Sequence, residues 1–518
     1  MDNYLMTVEG EPTESSSGRW MDSENPYSAK VWARIPLGND EDADRAVQAA
    51  RRAFSRGPWS QLSPSQRGLL LHKVGDLILR DARKLAEAEV RDSGRLIADM
   101  VPQITYLAQA FHYYGGLCDK IEGAVIPVDR KGYFNFTRYE PVGVVAALTP
   151  WNAPLLVTCM MIAPALCAGC TVVLKPSEFS SISTLEFVKL FTEAGFPPGV
   201  VNVVTGLGAE VGAALVKHPL VRAVAFTGSD STGRQIAQSA AKDFKRVVLE
   251  LGGKSPNIVF DDADQDEAAH GAATAILNVS GQSCVAGTRL LVQASIYEEF
   301  LEKVLSIIRM PRMGDPMDPQ TQLGPMCTRF QYDKVLGYIE LAKKEGARVL
   351  LGGGKSVRPE CGEGWFIEPT VFEARNDMRI AQDEVFGPVL SVIRFQDEAD
   401  ALRIANDVRF GLAAGVWTRD FARAIRMSER IEAGSIWINT YRQVSFMTPF
   451  GGFKDSGVGR ENGVDAVKEY LHVKSVWMNS GAPMPNPYAH GPCHCGDLAA
   501  GTGCPRSRPG LPAGSAGF

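Results

Sequence analysis

From residue 142 onward, short runs of Val, Ile, Leu and Ala alternate with longer stretches of helical periodicity. The runs VGVVAALT (142–149), TVVLKPS (171–177), VVNVVTG (200–206), VRAVAFTG (221–228) and RVVLELG (246–252) are almost continuously apolar, which predicts strands covered on both faces. Helical stretches at 153–168, 183–194, 209–217 and 232–241 separate them. This rhythm predicts a right-handed parallel α/β sheet, with dinucleotide binding favoured at the carboxyl ends of its strands. Upstream, residues 40–54 carry acids first and bases last around Ala and Val at helical spacing, the order that complements a helix dipole. Residues 66–88 and 86–116 continue in helical register, with a break predicted near Pro102.

Two further patterns complete the chain. Residues 122–140 alternate aromatic and polar side chains, a two-stranded ribbon with too little apolar surface to stand alone. A second α/β pattern follows Ala286, with strands predicted at 289–293, 389–395, 413–418 and 434–439 and helices at 296–308 and 329–345, interrupted by a Pro/Gly/Asp linker at 311–324. It predicts a second domain, the boundary falling near Gly252. The alternating end of 468–478 suits pairing with the 122–140 ribbon. No internal repeat is visible.

With 518 residues, 45% of them hydrophobic, the chain is expected to fold as two or three domains. A net charge of −5 gives no broad positive field for nucleic acid or anionic lipid. No apolar run reaches transmembrane length and residues 1–20 are polar, so the expected location is the cytoplasm. Ten irregularly spaced cysteines imply reduced thiols rather than a disulfide scaffold. In the tail, His490, Cys493, His494, Cys495 and Cys504 resemble a ligand cluster but sit among Gly, Pro and Ala. Residues 481–518 are therefore read as a disordered extension or an artificial appendage, with no metal site expected.

The candidate chemistry concentrates in 246–289. Glu250 ends a β-branched run just before Gly252-Gly253, and Cys284 follows Gly281-Gln282-Ser283 after a helix predicted over 264–277. A carboxylate on a turn and a thiol in a glycine-flanked loop suit a base and a nucleophile. Taken alone, Cys284 reads first as an inert core thiol and Glu250 first as a strand-end ion pair. Two glycine patterns compete for a phosphate role. Gly206-Leu-Gly208-Ala-Glu-Val-Gly212 nearly matches the dinucleotide fingerprint; Gly228-Ser-Asp-Ser-Thr-Gly233 lacks its middle glycine but opens a helix after a strand. Either is also an ordinary strand-to-helix turn.

A series of motifs in one order carries a resemblance: Thr149-Pro-Trp-Asn152, Lys175-Pro-Ser-Glu178, Phe226-Thr-Gly-Ser229, Glu250-Leu-Gly-Gly-Lys254, Gly281-Gln-Ser-Cys284, Glu384-Val-Phe-Gly-Pro388, Trp437-Ile-Asn439 and Pro449-Phe-Gly-Gly452. From about Asn25 to Met478 the chain resembles the NAD(P)-dependent aldehyde dehydrogenase superfamily, in its hydrolytic branch that does not acylate coenzyme A. The resemblance implies a Rossmann-type parallel-sheet cofactor domain (1–121 and 142–252), an α/β catalytic domain (253–467) and a β-arm for oligomerisation (122–141 and 468–480), forming a homo-oligomeric dimer or tetramer.

It also implies roles. Cys284 would be the nucleophile, and Asn152 with the Cys284 backbone N–H would be the oxyanion hole. Glu250 would activate the water that hydrolyses a thioester on Cys284. Lys175 and Glu178 would grip the adenosine ribose, favouring NAD over NADP because a carboxylate repels a 2′-phosphate. Ser229 would hold the pyrophosphate, with 206–208 near the adenine. Glu384 would bind the nicotinamide ribose and Phe386 would pack beside the nicotinamide. Thr149, Pro150, Trp151, Ser177, Gly208, Phe226, Gly228 and Leu251 complete the implied cofactor set.

The departures from the family pattern bear on substrate. Met161 stands where many relatives carry a Lys that acts with the acid matching Glu461 in a proton relay. The implied substrate tunnel holds Tyr106, Ala153, Met160, Ser283, Val285, Arg442, Val444 and Phe450; smaller or more flexible side chains at Ala153, Met160 and Val444 suggest a wide one. Arg442 facing the tunnel would select a semialdehyde with a distal carboxylate. Pairing of Arg442 with a neighbouring acid or with another subunit leaves an aromatic or bulky neutral aldehyde as the alternative. A thiol esterase and a catalytically silent structural homologue are the alternatives of class.

Overall fold

The computed structural model describes residues 2–484 and Tyr488, so the tail cysteine and histidine cluster lies outside the described residues. The chain divides into two units, one formed by residues up to 123 with 138–474, the other by 124–137 with the residues from 475 onward.

The first unit carries two large sheets. In one, eight strands run in the spatial order Gly457–Val458, Arg246–Glu250, Val221–Thr227, Val144–Leu148, Thr171–Lys175, Val201–Val203, Met6–Val8 and Glu11–Thr13. The five from Arg246–Glu250 to Val201–Val203 are parallel, in registers such as Ala146 opposite both Val224 and Val173. Their unbroken apolar character follows from burial on both faces. Val145, Ala147, Val172 and Leu174 point into a core beneath the helices Pro64–Ser93, Ile97–Leu117 and Pro154–Ala168. Their neighbours Val144, Ala146, Leu148 and Val173 point into the opposite core, beneath the helix Asp40–Arg56.

The order of the parallel strands reverses at Val144–Leu148. The chain moves from there to Thr171–Lys175 and Val201–Val203 on one side, then returns to Val221–Thr227 and Arg246–Glu250 on the other. Such a switch point leaves a crevice at the carboxyl ends of the flanking strands, where open α/β sheets hold their ligands.

In the second sheet the order is Arg348–Leu351, Thr370–Glu373, Val389–Phe395, Arg289–Gln293, Pro256–Val259, Ala413–Trp417 and Ser435–Ile438, parallel except at Arg348–Leu351. The sheet changes between Glu250 and Pro256, near the boundary expected at Gly252. The later chain nevertheless returns: Gly457–Val458 pairs antiparallel with Leu249 and Glu250 on the edge of the first sheet.

The helical break is displaced from the expected one. Helix Pro64–Ser93 stops at Gly94, which takes the left-handed conformation (φ 74°), and Pro102 lies inside the next helix, Ile97–Leu117. Glycine tolerates that backbone without penalty, so it ends the helix more decisively than a proline near the start of the following one.

The second unit contains the ribbon, with Val125 opposite Phe136 and Ile126 opposite Asn135. Asn135 Nδ2 donates to Ser475 Oγ (2.9 Å) and to the Val476 carbonyl (3.1 Å), joining the ribbon to the C-terminal strand segment as its alternation suggested. Val125, Ile126, Phe134, Trp477 and Met478 are exposed. Among the described residues no helix is long and apolar enough to cross a membrane.

At Gly457 the backbone has φ 146° and a β-carbon would lie 1.9 Å from the Leu249 carbonyl oxygen. Gly457→Ala should therefore displace the edge pairing that carries Glu250 and lower stability by about 2 kcal/mol or more. A thermal or denaturant midpoint indistinguishable from that of the unaltered protein would refute this.

Candidate active site

The carboxyl edge of the first sheet and the amino edge of the second supply the two sides of one cavity of about 300 Å³. From the first come Pro150, Trp151, Asn152 and Ala153 after strand Val144–Leu148, Gly228 and Ser229 after Val221–Thr227, and Glu250, Leu251 and Gly252 at the end of Arg246–Glu250. From the second come Gln282, Ser283, Cys284 and Val285 ahead of Arg289–Gln293, and Glu384 and Phe386 ahead of Val389–Phe395. Strand order thus brings Glu250 and Cys284 to one space.

The turn between the sheets has no room for side chains. A β-carbon at Gly253 would lie 2.2 Å from the Cys284 carbonyl oxygen, and one at Gly252 would lie 2.8 Å from Glu384 Oε2. Gly253 N–H donates to Glu384 Oε1 at 3.0 Å. Behind the thiol, Gln282 accepts from the Cys327 N–H (2.8 Å) through its side chain, and its carbonyl accepts from Asn152 Nδ2 (2.9 Å). Tyr441 Oη donates to the Val285 carbonyl at 3.0 Å. The thiol segment is therefore pinned before and after Cys284. Val279, Ser280 and Phe386 adopt positive φ close to it, a backbone cost tolerated where surrounding contacts over-determine the conformation. Gln331 Nε2 holds Phe386 by donating to the Val385 and Phe386 carbonyls, and the Phe386 ring meets Trp151 edge-on at 5.3 Å.

Electrostatically the cavity is rich in carboxyls. Both Glu250 oxygens are buried without a hydrogen-bond partner, as are both Glu461 oxygens. Burial, then the nearby Glu461, holds the Glu250 carboxyl well above the usual carboxylate range. Burial, with Glu469, pushes Glu461 up to about 8. Cys284 is partly exposed; burial first, then the charges of Glu384 and Glu250, pushes its thiol up to about 12, against the opposing influence of Arg442. Burial thus raises both the thiol and the Glu250 carboxyl, so each holds a proton more tightly than it would in water.

A second cluster adjoins this cavity and shares Gly228 and Ser229 with it. Lys175 Nζ donates to Glu178 Oε2 at 3.0 Å, and the Gly208 N–H reaches Glu178 Oε1 at 3.4 Å. Ser177 Oγ accepts from the Phe179 N–H, and Thr149 Oγ1 is buried without a partner. Phe226 packs close to Gly228, where a β-carbon would lie 2.4 Å from its ring. Ser229 caps helix Asp230–Ala241 by accepting from the Thr232 N–H. These residues border the switch-point crevice and offer a carboxylate, free hydroxyls and a helix N-terminus, donor types that fit a dinucleotide.

Of the eight residues expected along a substrate tunnel, Ala153, Met160, Ser283, Val285, Arg442, Val444 and Phe450 line the cavity. Tyr106 does not. Its hydroxyl donates to the Val444 carbonyl at 3.4 Å and its ring stacks on Phe446, so it backs the loop that carries Val444. Met161 is wholly buried. Sequence reasoning passed over Arg95, Gln103, Leu156, Val157, Phe330 and Lys334, which also line the cavity. Arg95 and Gln103 come from the early helical region, whose periodicity carries no sign of a site.

This arrangement of facing sheets, switch-point crevice and cavity thiol is that of an α/β dehydrogenase. Residues 13–476 match the sequence profile of the Aldehyde dehydrogenase family. The (Z)-2-((N-methylformamido)methylene)-5-hydroxybutyrolactone dehydrogenase of Acinetobacter baylyi is 45% identical over 94% of this chain and 99% of its own. An aldehyde dehydrogenase of Emericella nidulans is 44% identical over 90% and 94% respectively. The crystal structure of Staphylococcus aureus betaine aldehyde dehydrogenase in complex with NAD+ superposes with a TM-score of 0.92 at 38% identity, covering 94% of this chain and 96% of that one. The chain belongs to the aldehyde dehydrogenase family, oxidoreductases whose general reaction converts an aldehyde to a carboxylic acid.

Because burial, and after it the charges of the neighbouring Glu384 and Glu250, raise the thiol, alkylation of Cys284 by iodoacetamide should keep accelerating with pH beyond the range where a free thiol of pKa about 8.5 has levelled off. Glu250→Gln, which removes one of those charges, should make alkylation faster at alkaline pH. A wild-type rate that plateaus at the free-thiol value, or a slower variant, would contradict this.

Proposed function

We propose that the chain oxidises an aldehyde to the carboxylic acid with NAD and water, Cys284 being the nucleophile, Asn152 the oxyanion donor and Glu250 the base. The single observation that carries the reading is the convergence of Cys284, Asn152 and Glu250 on one cavity at the mouth of the switch-point crevice.

In this mechanism the Cys284 sulfur adds to the aldehyde carbon, giving a thiohemiacetal oxyanion, as its proton passes to Glu250, which hands it on to Glu461 or solvent before hydrolysis. Asn152 Nδ2, which donates one hydrogen to Gln282, has a second to direct at that oxygen, joined by the Cys284 backbone N–H. NAD, when bound, supplies the acceptor for the hydride lost from the aldehyde carbon. The thioester left on Cys284 is attacked by a water whose proton passes to Glu250, and cleavage of the carbon–sulfur bond releases the acid and restores the thiol. Glu250 accepts that proton readily because burial raises its basicity, and Glu461 beside it is a second site for the proton.

For the cofactor, Lys175 and Glu178 would hold the adenosine ribose, with Gly208, Ser177 and Phe226 around the adenosine and Gly228 and Ser229 at the pyrophosphate. Glu384 would hold the nicotinamide ribose, and Thr149, Pro150, Trp151, Leu251 and Phe386 would flank the nicotinamide. The preference for NAD over NADP rests on the Glu178 carboxylate. Residues 1–121 with 142–252 would form the cofactor domain and 253–467 the catalytic domain. The arm (122–141 and 468–480) would join subunits of a dimer or tetramer, a reading supported by the exposed apolar side chains of 124–137 and 475–478. The free state of all described cysteines suits a reducing, cytoplasmic setting. A thiol esterase or silent homologue has no use for both the crevice and the carboxylate.

Cys284→Ala should abolish NADH formation from aldehyde plus NAD. Glu250→Gln should give a burst of NADH followed by turnover about 100-fold slower or less, the acyl group remaining on Cys284. Absence of the burst, with a turnover like that of the unaltered enzyme, would remove Glu250 from the hydrolytic step.

A further inference from the structure

The cavity holds a cation that no acid among the described residues answers. Arg442 lines it together with Cys284, Asn152 and Glu250. Its Nη1 is buried without a hydrogen-bond partner, and among the described residues the guanidinium makes no ion pair. A guanidinium cannot shed its charge to relieve this, so an anion is the partner that would meet both the free donor and the charge.

Of the other two basic groups lining the cavity, only Arg95 is ion-paired among the described residues. Arg95, which also lines the cavity, is paired with Glu89 at 3.0 Å, both side chains buried. Lys334 lies over the Tyr338 ring at 6.0 Å, and its charge acts on Glu384 and Lys254. Asp99 is close enough for Arg442 to influence it, yet it is exposed and forms no ion pair with Arg442. The positive charge of Arg95 adds to the demand at Arg442 for a counter-ion from outside.

Arg442 is also held in place. Its neighbour Tyr441 donates to the Val285 carbonyl at 3.0 Å, and the Gln443 carbonyl accepts from Trp437 Nε1 at 2.9 Å. Between them Arg442 sits at φ 65°, a backbone conformation that an arginine adopts only when its flanks impose it. Leu156, Val157, Met160, Val285, Val444 and Phe450 make part of the wall apolar, with Gln103 and Ser283 among its polar members.

We propose that this enzyme takes an ω-oxo acid, a short aldehyde carrying a carboxylate at its far end, with Arg442 binding the carboxylate while the carbonyl meets Cys284. The inference rests on the aldehyde-oxidising reading above and specifies its substrate class. The apolar wall accommodates the hydrocarbon between the two ends, and about 300 Å³ limits it to a short chain. A single carboxylate suits the site better than a phosphate dianion, because Glu250, Glu384 and Glu461 share the cavity. A cationic aldehyde is repelled by the same guanidinium.

The test measures NADH formation with 4-oxobutanoate, 5-oxopentanoate and 6-oxohexanoate, each beside its methyl ester, and with betaine aldehyde as the cationic probe. The unaltered enzyme should favour at least one acid over its ester through a lower KM. In Arg442→Gln the ratio of kcat/KM for acid over ester should fall roughly 30-fold, the value of a lost charge-assisted hydrogen bond. Arg442→Lys, which keeps the charge without the fork, should fall between the two. Because Arg442 also eases ionisation of Cys284, a shared decline with both substrates is divided out by taking the ratio.

An unchanged ratio in both variants, a preference for the esters, or a preference for betaine aldehyde would overturn the proposal while leaving the aldehyde-oxidising reading intact. If Gln substitution destroys the fold, the Lys variant decides. Failure of the unaltered enzyme to oxidise any acid, ester or cationic aldehyde in the series would instead overturn the aldehyde-oxidising reading on which the proposal rests.

Discussion

The molecule depends on the passage between its two sheets, where Leu251-Gly252-Gly253 connects a strand of one to a strand of the other. Hydrogen atoms are all that fit on one face of Gly253, because the Cys284 carbonyl occupies the position a side chain would take. That close approach lets a thiol from one sheet and a carboxylate from the other share a small space. Any added bulk there forces the sheets apart and dissolves the site before it touches the chemistry. The same turn supplies the N–H that orients Glu384, so spacing and electrostatics are fixed by one piece of backbone.

The carboxyl-rich cavity balances two demands. Buried without hydrogen bonds, Glu250 and Glu461 are costly to fold around, and the cost falls if they carry protons, as their raised pKa values allow. Glu384 is different: the Gly253 N–H and nearby lysines oppose the effect of its burial, so its charge is better tolerated. Carboxyl groups of one cavity are thus given different proton affinities by their surroundings.

Much of this was legible in the sequence. The five near-continuous apolar runs announced strands buried on both faces, and alternate residues of Val144–Leu148 do divide between two cores. Glu250 before a double glycine and Cys284 after Gly281 marked the two sides of the cavity. What escaped notice has a common cause. The helix break moved from Pro102 to Gly94 because left-handed backbone outweighs a proline near a helix start. Tyr106 backs the cavity wall rather than lining it, and Arg95 lines it unannounced, since helical periodicity tells which face is apolar but not what lies against it. The unanswered charge of Arg442 became visible only once every neighbouring acid had a location.

The return of Gly457–Val458 to the edge of the first sheet has a consequence for biogenesis. The strand that ends in Glu250 is synthesised some two hundred residues before its outer neighbour, and until then its edge presents unpaired amides and carbonyls to any passing strand. A ribosome that stalls within the second sheet would release the first sheet with an open, sticky border. Emergence of Gly457–Val458 is therefore the moment at which that border is covered.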